Sequence, residues 1–325
     1  MRCFLVGAGF LLGLVGSMAG FAPAAAESDY PNKSLTMIVP FPAGGRTDLV
    51  GRIVAQELTK ILGKPVAVIN KPGASSVLGA REVAESAPDG YTLGFFSTSA
   101  VTSQYTVPTP ISLSEFQLVA IVNTDPAALA VQWSAPWKSL SELVTDARTK
   151  PDKLRMGMIP GASAQIFAAG FENAAGVKMI MVPFKGDADG AIALAGGHID
   201  VHMAVPVSYK TLVDAKKVRM LAVADNARSA LYNNLTTFRE NGVDLVIGAF
   251  HGVYVPKGTQ QVIINKLADA LEQTMTSKEV QANMDNAGAG VAFLRDDSAK
   301  TYLAKQDETY RGIIDKLGLR VAPAK

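Results

Sequence analysis

The chain has a single cysteine, Cys3, and it lies inside an apolar N-terminal run. Beyond that run no disulfide, thiolate metal site or thiol nucleophile can be built. Charge of one sign is also lacking in excess. The 31 Lys and Arg nearly balance the 29 Asp and Glu, and the basic residues are scattered. That balance excludes a nucleic-acid surface or an acidic tail as the main business of the chain. Past the N-terminal run no apolar stretch is long enough to span a bilayer. Pro42 to Gly51 lacks the Lys-Ser/Thr ending of a phosphate-binding loop, and no spaced glycine triplet opens a helix. No Gly-x-Ser-x-Gly elbow presents a serine for acyl transfer. These absences point away from an enzyme, a bound cofactor or a metal site.

What the chain does have begins at its N-terminus. Arg2 gives a positive start, Cys3 to Phe21 is apolar or small, and Ala24-Ala25-Ala26 offers small side chains to a signal peptidase. Residues 1–26 therefore read as a secretory signal cleaved after Ala26, which places the mature chain in the periplasm. Five glycines dilute the run, which argues against a retained anchor. With 325 residues and 48% hydrophobic content, the chain can bury one large core or two.

Short apolar runs alternate with segments of helical period. Leu35 to Val39, Val66 to Ile69 and Tyr91 to Phe96 read as strands. Leu49, Val50, Ile53, Val54, Leu58, Ile61 and Leu62 recur at helical spacing, and Gly63 and Pro65 stop that helix. Ser139 and Glu142 have the spacing of a capping box. Further strands are expected at 154–158, 178–182, 199–203 and 218–224. Such alternation builds parallel sheets covered on both faces, and a chain of this length divides its strands between two of them.

Three glycine-containing turns fall between a strand and a helix: Pro42 to Gly45, Pro72-Gly73-Ala74 and Gly157 to Ser163. A hydroxyl turn, Ser97-Thr98-Ser99, follows the third strand. In open α/β sheets ligands sit beyond the carboxyl ends of the strands, where free amides at a helix start can hold an anion. The simpler reading is that glycines after strands merely make turns. His198 and His202 flank Asp200 and invite a metal, but no third ligand is identifiable. Asp48 and Asp187 could pair as acid and base, although each more ordinarily caps a helix. His251 reads as a structural histidine that could also line a cleft.

Longer stretches carry a resemblance. Ile38-Val39-Pro40-Phe41-Pro42-Ala43-Gly44-Gly45-Arg46-Thr47-Asp48 resembles the opening of the Bug-type substrate-binding proteins of tripartite tricarboxylate transporters. Asn70-Lys71-Pro72-Gly73-Ala74, Ala87-Pro88-Asp89-Gly90-Tyr91, Val182-Pro183-Phe184-Lys185-Gly186, Gly196-Gly197-His198-Ile199-Asp200 and Val255-Pro256-Lys257-Gly258-Thr259 follow in family order. The resemblance implies a periplasmic-binding-protein fold of type II, two α/β lobes joined by two crossover strands with the ligand cleft between them. The first lobe would comprise residues 27–125 and 252–325, the second 126–251. It further implies a monomer that binds a di- or tricarboxylate, an amino acid or an aromatic acid and passes it to membrane permease subunits.

Carried over residue by residue, the resemblance implies ligand contacts at Phe41, Ala43, Gly44, Gly45 and Asp48 in the first turn. Ser97, Thr98 and Ser99 would assist, with Gly161, Ala162, Ser163 and Pro206 from the second lobe and His251 near the crossing. Two departures stand out. Arg46 occupies a position usually filled by a small residue, either as a solvated rim arginine or as a guanidinium fork on the ligand. The second-lobe loop lacks the family's histidine. A periplasmic hydrolase using Asp48, His251 or the serines is the alternative, as is a sensor subunit that presents its ligand.

Overall fold

The apolar run Leu35–Val39 forms strand β1, and the chain turns through Pro40 to Gly45 into helix α1 (Arg46–Leu62). This computed structural model describes residues 29–160, 163–184, 186–228 and 235–322; the expected signal, residues 1–26, lies outside the described residues. Helix α1 buries Val50, Val54, Ala55 and Leu58 along one face. It ends at Gly63, whose φ of 64° is left-handed and cheap for glycine. Strand β2 (Val66–Asn70), helix α2 (Val77–Ala84), strand β3 (Thr92–Ser97) and helix α3 (Ser99–Thr106) follow.

Strands β4 (Phe116–Pro126) and β5 (Ala128–Gln132) are separated by one residue, Ala127. Helix α4 (Leu140–Thr149) opens with the expected cap, Ser139 accepting from the Glu142 amide at 3.2 Å. The Glu142 carboxylate accepts from the Lys138 amide at 2.7 Å, one residue ahead of the cap. Then come β6 (Arg155–Met158), α5 (Ser163–Ala175), β7 (Ile180–Pro183), α6 (Asp187–Ala195) and β8 (Val201–Ala204). The short α7 (Lys210–Asp214), β9 (Val218–Val223) and β10 (Thr236–Thr237) precede β11 (Gly248–Pro256). The chain closes with α8 (Gln261–Thr276), α9 (Lys278–Asn286), β12 (Leu294–Arg295) and α10 (Asp296–Lys316).

The strands form two six-stranded sheets, in the orders β12-β4-β11-β3-β1-β2 and β10-β9-β5-β8-β6-β7. The expectation of purely parallel sheets is corrected here. Strands β2, β1 and β3 run parallel, as do β7, β6 and β8, but β11, β4 and β5 each pair antiparallel with their neighbours. The reason lies in where these strands come from. The parallel strands end at the cleft edge, whereas β5 and β11 enter their sheets from the opposite lobe and run away from that edge.

At the crossing the two passing segments are bonded to each other. The Ala127 amide donates to the Ile247 carbonyl (2.9 Å), Ile247 to Ala224 (3.0 Å) and Ala224 back to Ala127 (2.7 Å). Gly248 lies against this crossing so closely that a Cβ there would overlap the Asp125 carbonyl oxygen. Helix α10 adds a third link. Tyr310 donates its hydroxyl proton to the Gly248 carbonyl, while Ile313 and Ile314 pack in one buried cluster with Phe167 and Phe171 of α5 and Leu245 and Ile247. That cluster extends from Val101 and Ile121 on the first side to Met156 and Val201 on the second. Each aliphatic side chain buried in it contributes roughly 1.5–3 kcal/mol.

Candidate functional site

Parallel pairing of β1 with β2 and β3 brings three strand ends to one edge. The turn Phe41 to Gly45, Asn70 and the hydroxyl turn Ser97 to Ser99 therefore stand together. In the second sheet β6, β7 and β8 lead into Ser163, Asp187 and Pro206. The two edges face each other. The Arg46 guanidinium acts on the Asp187 carboxyl, and Val207 packs against Gly288 so tightly that a Cβ there would overlap it.

The first turn is held from behind by Asp48. One of its carboxylate oxygens accepts from the Gly44 amide (2.8 Å) and from Arg52 Nε (3.0 Å), the other from Asn70 Nδ2 (2.8 Å). Asn70 also donates to the Phe41 carbonyl at 3.0 Å, so the start of the turn is tied to Asn70 and its Gly44 end to Asp48, which Asn70 also holds. Burial pushes the Asp48 carboxyl upward, but bonds from Arg52, Gly44 and Asn70 outweigh it and hold the group below the usual carboxylate range. Gly44 takes a left-handed φ of 81°, which the turn requires and glycine permits. Ala43, Gly44 and Gly45 are exposed, and Phe41 is half-buried. The first helical bond runs from Leu49 to the Gly45 carbonyl, so the amides of Arg46 and Thr47 have no acceptor one turn back.

His251 stands behind this turn rather than open to the cleft. Asn123 donates its amide protons to the Gly290 carbonyl, so its oxygen must accept from His251 Nδ1 (2.6 Å). His251 Nε2 then accepts from the Thr47 hydroxyl at 3.1 Å. Both ring nitrogens are committed, and burial together with the nearby Arg46 charge lowers the imidazole pKa to about 3. The ring is neutral at any physiological pH. Its work is to fix Thr47 at the start of α1.

Arg46 is engaged within the protein rather than free at the rim. Its guanidinium turns inward and pairs with Asp125, its Nη2 also donating to the Gly288 carbonyl at 3.4 Å. The Arg46 side chain is 24% exposed and that of Asp125 only 4%. Asp125 Oδ1 accepts in turn from the Gly290 amide (2.8 Å). Arg46 Nε remains occluded from solvent with no partner among the described residues. Asp125, Asn123, Asn70, Thr47 and Gly290 were not among the expected site residues. Only Asn70 and Thr47 had a local signal, Asn70 in the Asn-Lys-Pro-Gly stretch at a strand end and Thr47 beside Arg46 in the first turn's stretch.

Of the hydroxyl turn, Thr98 is committed to the Phe250 amide (3.0 Å) and Ser97 to the Ser99 amide (3.3 Å). Ser99 keeps a half-buried hydroxyl without a partner among the described residues. The second glycine turn is strained: Ala74, Ser75 and Ser76 have φ values of 47°, 52° and 79°. Each such residue costs on the order of 1–3 kcal/mol. In the second lobe Gly161 and Ala162 lie outside the described residues. Ser163 is the first residue of α5, and Pro206 is buried at the turn after β8. The histidines of the strand part company. His198 is exposed, whereas His202 is buried against Tyr209, whose hydroxyl lies 3.0 Å from Nδ1. Asp200 is bound by Arg155 on both oxygens.

Asp187 stands in the first turn of α6, where a carboxylate is favoured by the helix dipole, but it makes no capping hydrogen bond. Gly186 is the cap of α6, and the Asp187 Oδ1 atom is occluded without a partner among the described residues. Burial raises its pKa to about 6, against the pull of Arg46.

The model of the tripartite tricarboxylate transporter family receptor matches residues 50–319. Protein BugT of Bordetella pertussis is 27% identical over 96% of this chain and 97% of its own. A TctC solute-binding protein from Polaromonas, solved without ligand, is 32% identical with a TM-score of 0.82, covering 88% of this chain and 99% of that one. R. palustris Rpa4515, solved with adipate, is 26% identical with a TM-score of 0.74 over 91% of this chain and all of that one. The two-lobed architecture, the turn at the start of α1 and these likenesses agree along nearly the whole described chain. It belongs to the tripartite tricarboxylate transporter receptor family, a family of solute-binding proteins.

Proposed function

We propose that this chain is an exported, periplasmic receptor that captures a small carboxylate between its two lobes and delivers it to the membrane subunits of a tripartite transporter. The observation that carries the reading is the first turn. Asp48, Asn70 and His251 hold it from behind, and the Arg46 and Thr47 amides at the start of α1 have no acceptor one turn back. A carboxylate placed there takes those amides and the occluded Arg46 Nε, each bond to a charged group contributing roughly 1.5–3 kcal/mol. Ser99 and Ser163 add hydroxyls from either side. The relative solved with adipate supports a carboxylate as the ligand class. A hydrolase built on Asp48 or His251 would need atoms that are already committed.

The test is a thermal-shift panel of mono-, di- and tricarboxylates, amino acids and aromatic acids on the purified mature chain. A true ligand at a hundred times its dissociation constant stabilises the fold by about 2.7 kcal/mol. A panel in which no carboxylate raises the melting temperature overturns the reading. Co-purification with tagged permease subunits in the presence of that ligand tests delivery.

A further inference from the structure

Two occluded polar atoms on opposite sides of the cleft have no partner among the described residues. Arg46 Nε, on the first lobe, is a donor; Asp187 Oδ1, on the second, is an acceptor. The Arg46 charge acts on the Asp187 carboxyl, yet no bond joins the two atoms. A buried donor or acceptor left unmade costs about 1–3 kcal/mol, more when charged, so such a pair in one cleft describes what should lie between them. The donor end lies beside the amides of Arg46 and Thr47 and calls for an anion. The acceptor end calls for a proton donor.

We infer that Asp187 reads the far end of the ligand, accepting an ammonium or hydroxyl group there and turning away a second carboxylate. This rests on the proposed capture of a carboxylate at the first turn and names the class of molecule that fits: a carboxylic acid with an amino or hydroxyl group at its other end. Three features favour this over a structural role. Asp187 makes no capping bond, its N-cap being Gly186. Among the described residues the neighbouring polar groups do not reach it: Tyr209 is engaged with His202, and His202 Nε2 lies against Gly190, where a Cβ would overlap it. Arg46, the nearby cation, gives its Nη2 to Asp125 and the Gly288 carbonyl. A dicarboxylate bound at the first turn would bring its second negative charge against a half-buried carboxylate, where repulsion is less screened than in open water.

Calorimetry on the mature chain with length-matched probes tests this. Succinate is compared with 3-aminopropanoate, glutarate with 4-aminobutanoate and 4-hydroxybutanoate, and adipate with 5-aminopentanoate. In at least one set the amino or hydroxy acid should bind ten times or more tightly than the dicarboxylate. Asp187→Asn, which keeps the side chain's shape, should bring that ratio to within about threefold, with unfolding curves checking that the variant is folded. Dicarboxylates binding best to the unaltered chain would overturn the inference. So would an Asp187→Asn variant that weakens every probe equally, since that marks Asp187 as a latch for Arg46. If no probe binds and the wider carboxylate panel is also silent, the capture reading itself fails. If carboxylates bind without regard to the far end, only the role of Asp187 fails.

Discussion

The two sides of the cleft are built on opposite plans. On the first lobe almost every polar atom behind the turn is paired: Asp48 with Gly44, Arg52 and Asn70, His251 with Asn123 and Thr47, Arg46 with Asp125. On the second lobe Asp187 keeps an occluded oxygen unpaired. A side held in this way, with only Arg46 Nε and the amides at the start of α1 left for the ligand, is preorganised, and it treats every carboxylate alike. A side with a bond still to make discriminates, because the wrong ligand leaves that bond unmade. Members of one family can therefore keep the first plan and differ in the second.

The largest effect that would break this contrast is expected from Asp48→Ala. It removes the acceptor of the Gly44 amide, Arg52 and Asn70 at once, and should cost roughly 3 kcal/mol of stability in denaturant unfolding. Affinity for any carboxylate ligand should fall by about a hundredfold, without regard to its far end. Because the Asp48 carboxyl is held below its ordinary range, its stabilisation is full at neutral pH and is lost as the pH falls through its lowered folded-state value.

Next in size is the ion pair. Arg46→Met strands the buried Asp125 carboxylate and should cost roughly 2–3 kcal/mol. Asp125→Asn in the same chain should recover part of that loss, and a double-mutant cycle by thermal unfolding measures the coupling. No coupling between the two positions would mean that Arg46 serves the ligand alone.

A smaller effect separates the second side by pH. The folded-state pKa of Asp187 is raised to about 6, so the empty chain gains stability from this group as the pH falls through about 6 towards the ordinary carboxylate range. The groups around it are Arg46 across the cleft and Tyr209 and His202 beneath; His202, lowered to about 4, stays neutral over that window. The difference in melting temperature between the unaltered chain and Asp187→Asn should therefore shrink or reverse between pH 7 and 5. The smallest expected change is in the second glycine turn. Ser75→Gly relieves a left-handed serine and should raise stability by about 1 kcal/mol, visible as a shift of a few degrees or less.

The parts of the molecule that local chemistry dictates were readable in advance. Leu35 to Val39, the periodic face of α1, its glycine stop and the Ser139 cap need only neighbours within a few residues. The crossover strands were not. Phe116–Pro126 and Gly248–Pro256 are buried on both faces and carry Asn123, Asp125 and His251, so neither shows an alternation that marks it as a strand. Only their pairing with each other fixes them. The site divides in the same way. The Pro42 to Gly45 turn announces itself by composition, whereas the partner of Arg46 lies 79 residues further on. That Asp187 lacks a partner depends on how the whole second lobe packs around it.

Helix α10 has a mechanical consequence. It is anchored to the crossing through Tyr310 and to the second lobe through Ile313 and Ile314, while its first turns follow β12 on the first lobe. Any rotation of one lobe against the other must shear that packing, so the crossing behaves as a sprung joint whose stiffness is set at its last helix. Trimming Ile313 to alanine softens the spring without touching the ligand. Its signature would be an altered rate of ligand release from a cleft whose chemistry is unchanged.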